Sequence, residues 1–294
     1  RGVADMGFTL VTDSSANLPN SLIDKYNIRV LPLTYYLNDT EHLSYIPNQQ
    51  IDMAFFYNEL RNKAKITTSC VNVNSFLKVF EELLTSNNDV LYISFSSALS
   101  GTYQSATIAI EQLKPQFPDR KILAIDSLSA SLGQGLLVTY AAKMKEQEKS
   151  IEEIYTWLLD NRLHLCHWFT VDDLFYLKRG GRISSSAAIV GSLLNIKPVL
   201  HVDNSGRLVP VTKVRGRKNS LNELVSHMEE TAIDPQNQIV YISHGDCEKD
   251  AQYVAELVKS KFGTNDILID YVEPVIGAHS GPGTIALFFL GSQR

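Results

Sequence analysis

Short runs of β-forming residues alternate with segments of helical period through the first half of the chain. "FTLVT" (8–12), "IRVLPLTYYL" (28–37), "VLYISF" (90–95) and "KILAID" (121–126) are dense in Val, Ile, Leu and Tyr and predict strands. Between them, in "NSFLKVFEELL", Phe76, Val79, Phe80, Leu83 and Leu84 recur at helical spacing, with Asn74 placed to cap. Strands separated by helices imply right-handed crossovers and a mainly parallel sheet covered on both faces.

The texture changes near residue 150. Ser150 and Glu153 make a capping box ahead of Ile151, Ile154, Tyr155 and Leu158. "KPVLHVDNSGRLVPVTKV" (197–214) reads as two strands about an Asp-Asn-Ser-Gly turn, and Ser220 with Glu223 forms a second capping box. "QIVYISH" and "DILIDYV" flank a helix at 249–262. Hairpins mixed with helices predict a mixed or antiparallel sheet. The expected division is an N-terminal α/β domain at 6–150 and a C-terminal one at 151–294. From Pro274 to Gln293 the chain carries no Asp, Glu, Lys or Arg. Its prolines and glycines would break a spanning helix, so this stretch predicts a buried loop and then a core strand, "TIALFFL".

Composition narrows the function classes. A chain of 294 residues is long for one compact core and suits two α/β units. Its net charge of -5 argues against general nucleic-acid binding, which needs a basic field. Cys70, Cys166 and Cys247 are sparse and odd in number, so free thiols and a cytoplasmic setting are expected, with no secretion leader visible. No GxSxG elbow, P-loop, HExxH or complete GxGxxG is present. "GQG" (133–135) falls inside an expected helix, and "HLCHW" (164–168) has the spacing of a strand with alternating faces rather than a zinc site.

The densest chemistry is a set of hydroxyls. "SSALSGTYQSA" follows a predicted strand and opens a helix, where free N–H groups and the dipole favour an anion and where hydroxyls also serve as caps. "TDSSANLP" (12–19), "TTSCVN" (67–72) and "DSLSAS" (126–131) are hydroxyl-rich turns of the same kind. Several such turns at the strand ends of one open sheet point to a shared crevice. "LKRGGRIS" (177–184), "TKVRGRKN" (212–219) and "GAHSGPG" (277–283) add basic and glycine-braced segments. His279 is either an anion contact or a satisfied loop histidine. A nucleophilic Ser100 would need His279 as its base, and no acid to orient that base stands out.

Six segments in order, "TDSSANLP", "TTSCVN", "SSALSGTYQSA", "IDSLSASLGQG", "LKRGGRIS" and "GAHSGPG", give the chain a resemblance to the DegV family of bacterial fatty-acid-binding proteins, from Thr12 to Gly291. The resemblance implies a two-domain α/β protein that holds a long-chain fatty acid between its domains, without catalysis and without a cofactor or metal. It implies that Thr68 and Ser100 seat the carboxylate, with His279 in the same network. Ser69, Gly101 and Thr102 belong to those turns, and Ser14 and Ser127 complete the expected ligand set on neighbouring turns. In the family's kinase system a separate ATP-using subunit phosphorylates the bound carboxylate for phospholipid synthesis. Arg182 and Arg215 are the expected contacts to that subunit or to the acyl phosphate, and brief contact with a membrane surface fits the role. "SAAIVGSLLNI" (186–196) and "TIALFFL" are the expected apolar lining. The chain departs from the family pattern at Cys70, Val71 and Asn72, where Gln, Pro and Ser are usual, and in "NDTEHLSYIPNQQID" (38–52). Two other readings stand beside this one: a serine hydrolase or acyltransferase using Ser100, and a small phosphate- or sugar-binding sensor.

Overall fold

The structure, a computed structural model, describes residues 7–188 and 195–294. Its first half runs β1 (Phe8–Asp13), α1 (Asn20–Lys25), β2 (Arg29–Leu31), β3 (Thr34–Leu37), β4 (Thr40–Leu43), α2 (Met53–Arg61), β5 (Ile66–Ser69) and α3 (Val73–Thr85). It continues through β6 (Asp89–Ser94), α4 (Thr102–Leu113), β7 (Ile122–Asp126) and α5 (Ser131–Glu146). The second half holds α6 (Ile151–Asn161), β8 (Leu165–Thr170), α7 (Phe175–Arg179), α8 (Ser185–Ala188), β9 (Ile196–Val202), β10 (Leu208–Arg215) and α9 (Arg217–Thr231). It closes with β11 (Val240–His244), α10 (Glu248–Phe262), β12 (Ile267–Tyr271), α11 (Pro274–Ser280) and β13 (Ile285–Leu290).

The fold is α/β. A four-stranded sheet in the order β2-β1-β6-β7 is parallel throughout. A six-stranded mixed sheet in the order β10-β9-β8-β13-β11-β12 is built wholly from the second half. In it β11 and β12 run parallel while the other pairs are antiparallel. A third, small antiparallel sheet, β4-β3-β5, is absent from the sequence expectation.

Local chemistry accounts for each departure from the expected elements. "IRVLPLTYYL" is two strands, because Pro32 has no N–H to give a ladder; β2 joins the parallel sheet and β3 the small one. Helix α3 is capped by Asn72, whose Oδ1 accepts from Ser75 N at 2.9 Å, so Asn74 lies inside the helix. Helix α9 starts at Arg217 after Gly216, and Ser220 donates back to Arg217 O rather than capping. The Ser150–Glu153 capping box is present. In "HLCHW", Cys166 and His167 lie on β8 and His164 just before it, and each has its own partner: Gly291 O for His164, Gln293 O for Cys166, Ala130 N for His167. Of "SAAIVGSLLNI", residues 189–194 lie outside the described residues.

The halves meet on α5. Eleven of its sixteen residues are buried, on all sides of the helix. It touches β1 and β6 of the parallel sheet and β8, β11 and β13 of the mixed one. Two glycines permit this. A Cβ at Gly133 would lie 2.2 Å from His167 Nε2, and one at Gly135 would lie 2.4 Å from the Ala16 carbonyl. Between them Gln134 donates to Thr12 Oγ1 and Asp13 Oδ1. Asp13 is fully buried at the end of β1 and also accepts from Tyr92 Oη at 2.6 Å and Phe95 N at 3.1 Å. One hydrophobic cluster runs from Leu10 and Leu91 through Leu136 to Tyr241 and Phe288, while another, with Cys166, Leu224 and Val254, lies wholly in the second half.

Gly133→Ala is therefore expected to destabilise the protein by about 2 kcal/mol through overpacking against β8, read as a lower urea midpoint. An unchanged midpoint would show that the mixed sheet does not rest on this helix.

Candidate functional site

Between the sheets lies a cavity of about 370 Å³ with walls from both halves of the chain. Its greater part is apolar, with Phe95, Leu99, Phe169, Leu208, Val275 and Phe288 among the lining residues. Thr284, Ala286 and Phe288 place "TIALFFL" in this wall as expected. The polar lining includes Thr68, Ser69, Ser100, Arg182 and His279, and no Asp or Glu among the described residues lines it.

Separate elements bring these groups to one place. Thr68 is carried by β5, paired to Tyr35 of β3. His279 is carried by α11, where the sequence pattern predicts a loop. Pro274 at the first turn and Glu273 as cap start this helix, the Glu273 carboxylate accepting from Val275 N and Ile276 N. Thr68 Oγ1 and His279 Nε2 then lie 2.8 Å apart. Gly180, after α7, closes on the far side of the ring, where a Cβ would be 2.1 Å from His279 Nδ1. Arg182 binds the Gly180 carbonyl and, through Nε, that of Leu99 at 3.3 Å. Leu99 leads into Ser100 and Gly101, and a Cβ on Gly101 would sit 3.7 Å from Cys70 Sγ, two residues beyond Thr68. Thr68, Ser69, Cys70, Ser100, Gly101, Arg182 and His279 all line this cavity.

Within that lining Ser100 has a usable proton. Its Oγ accepts from Thr102 N at 3.2 Å and lies 2.9 Å from Thr102 Oγ1, which itself accepts from Val71 N. Thr102 is fully buried and supports Ser100 from behind. The Thr102 hydroxyl can donate to Ser100 and leave the Ser100 proton for the cavity.

Four of the expected residues do not line the cavity: Thr102, which lies behind Ser100, and three that stand elsewhere. Ser14 lines a separate groove at the end of β1, where its hydroxyl is paired with Ser44 and accepts from Leu33 N. Ser127 is buried within its own turn, bonded to the backbone of Ser129. Ser127 shapes its own turn, because a local side-chain-to-backbone bond satisfies it first, while Ser14 is held by the distant Ser44 and Leu33. Arg215 is exposed as the last residue of β10 and does not line the cavity. In the other direction the cavity recruits Ser131, Ser243 and Ser280, none of them singled out in the sequence. Ser131 and Ser280 sit in motifs quoted above, whereas Ser243 lies in a strand that gives no signal.

The electrostatics suit an anion. Burial pushes the His279 imidazole down to about 4, helped by the positive charges of Arg182 and Arg179, so the ring is neutral at pH 7. Arg182 is half-buried beside it, and burial lowers its pKa as well. Burial pushes the Glu273 carboxyl under α11 up to about 8, against the two backbone N–H groups it accepts.

A polar seat on the wall of a largely apolar cavity, set between a parallel and a mixed sheet, defines a class of two-sheet α/β proteins. This chain belongs to the DegV family: the family's model, described as an uncharacterised protein, matches residues 7–292. A DegV domain-containing protein of Clostridium perfringens is 47% identical over 98% of each chain. Among solved structures, a DegV family protein of Thermus thermophilus described for its fatty acid binding has TM-score 0.86 at 30% identity, covering 97% of this chain and 100% of that one. DegV of Bacillus subtilis, described as a fatty acid binding protein, has TM-score 0.82 at 30% identity, with 98% and 100% covered.

Two outcomes follow from this geometry. Gly180→Ala is expected to break the Thr68–His279 bond and return the imidazole toward its ordinary range, read by an NMR titration of the ring. A ring that still titrates near 4 would show that the clash is absorbed elsewhere. The second concerns Glu273, whose ordinary value is 4.5 and whose folded value is about 8. The folded chain holds a proton that the unfolded chain releases, so this group's contribution to stability falls as pH rises through that window. Glu273→Gln keeps an acceptor for the helix start and is expected to flatten that part of the profile in urea unfolding. Superimposable profiles for the two proteins would show that Glu273 is ionised when folded.

Proposed function

We propose that the protein binds one long-chain fatty acid, with the carboxylate on Thr68, Ser100 and His279 and the acyl chain in the apolar cavity. The observation that carries this reading is that Thr68, Ser100 and His279 line one largely apolar cavity, with no carboxylate in its described lining and Arg182 as its cation. Charge-assisted hydrogen bonds from the two hydroxyls hold the head. The chain contributes about 0.8 kcal/mol per buried CH₂ before ordering costs. The fatty-acid binding described for the Thermus thermophilus and Bacillus subtilis relatives supports the same assignment.

The rest of the role follows the family resemblance. The carrier presents the carboxylate to an ATP-dependent fatty acid kinase subunit, which forms the acyl phosphate. Arg182 at the seat and exposed Arg215 are the proposed contacts to that subunit or to the new phosphate. Work in the cytoplasm and brief exchange of the lipid at a membrane surface complete the proposal. No helix among the described residues is long and apolar enough to cross a membrane. The hydrolase reading is disfavoured by the partner of His279, which is Thr68 rather than Ser100.

Protein purified from cells and extracted with denaturing solvent is expected to release a fatty acid detectable by mass spectrometry. Thr68→Ala with Ser100→Ala is expected to lower its retention about 10-fold or more, the loss of charge-assisted bonds to the head. Absence of lipid even after incubation with oleate would sink the proposal, as would labelling of Ser100 by a fluorophosphonate.

A further inference from the structure

Resting on the acyl-binding reading above, we propose that the cavity has a second polar station, formed by Ser280 and Ser243, which selects acyl chains bearing a hydroxyl. Ser280 lines the cavity and is 5% exposed, and its Oγ has no hydrogen-bond partner among the described residues. Buried hydroxyls are nearly always paired, so an unpaired one on a ligand cavity points to a partner that arrives with the ligand.

Ser243 supplies the complementary function, and its proton can be traced. Asn17 is oriented by two backbone groups: its Nδ2 donates to Tyr271 O at 2.5 Å, and its Oδ1 accepts from Glu273 N at 2.7 Å. Ser131 Oγ, 3.3 Å from that Oδ1, must therefore donate to it. The Ser131 proton is then committed, so Ser243 donates across the 3.1 Å contact between the two hydroxyls. Ser243 is fully buried, and its remaining lone pairs have no described donor. The wall thus offers a donor at Ser280 and an acceptor at Ser243.

Both serines line the same cavity. Thr284 Oγ1 donates to the Ser280 carbonyl at 3.1 Å, and Ser243 pairs with Ala286 in the strand ladder. Thr284 and Ala286, both in the lining, are two residues or about 7 Å apart along the chain. An alcohol can accept from Ser280 or donate to Ser243, whereas a methylene satisfies neither. A ketone can accept from Ser280 only.

The test compares octadecanoic acid with monohydroxy-octadecanoic acids carrying the hydroxyl near the head, at mid-chain or toward the tail. Each displaces a fluorescent fatty acid from the full chain. One positional isomer is expected to bind about 10-fold tighter than octadecanoic acid, the gain of paired hydrogen bonds in a dry site. In Ser280→Ala that ratio is expected to collapse toward one, and Ser280→Thr to restore part of it. If octadecanoic acid binds and every hydroxylated isomer binds equally or more weakly, this proposal is wrong and the acyl-binding reading stands. A preference that survives Ser280→Ala also overturns it. Failure of every fatty acid to displace the probe overturns both.

Discussion

The structure depends on a helix whose first nine residues are buried on every side. Helix α5 packs against a parallel sheet and a mixed sheet at once, and this contact makes two halves into one molecule. A helix in that position cannot be amphipathic, and its backbone must come close to both neighbours. Gly133 and Gly135 answer the second demand, one for each side, and Gln134 between them spends its amide on β1. The cavity is a by-product of this arrangement. Ala130 and Ser131, at the start of the helix, are part of its wall, and the two sheets hold that wall apart.

The polar seat is neutral by design of its surroundings. Burial and two nearby guanidinium groups keep His279 uncharged, so it can share a proton with Thr68 without bringing a charge of its own. The positive potential is left to Arg182, whose reach is limited by its ties to the Gly180 and Leu99 carbonyls. A carboxylate entering such a site meets donors that are already aligned and pays little for reorganising them. Helix α11 sets that alignment, and a buried Glu273 starts the helix.

Much of the fold was legible because strand and helix periods are strong in this chain. The parallel sheet, the hairpin at β9–β10 and the core strand β13 follow from residue patterns alone. What escaped were features set by single residues or by long-range contact. Pro32 divides an apolar run into strands of two sheets, and no periodicity reports that. Thr68, Ser69, Ser100, Gly101 and His279, which line the cavity, lie in hydroxyl- or glycine-rich turns that stand out in the sequence. The same signal also marks Ser14, whose hydroxyl is held by Ser44 and Leu33 N, and Ser127, bonded within its own turn; neither lines this cavity. Ser243 could not be found at all, since one serine in an apolar strand looks like any other until its neighbours are known.

Asp13 carries a consequence of a different kind. It stands where the strand order reverses between β1 and β6, the place where open α/β sheets usually bind a ligand's phosphate. There the Phe95 amide, the Tyr92 hydroxyl and the Gln134 amide converge on its carboxylate. The chain places the Asp13 carboxyl in that position, and its cavity lies elsewhere, against α11. A chain of this architecture with a small residue at that position would inherit a ring of donors with nothing to receive them, and would have to recruit its anion from solution.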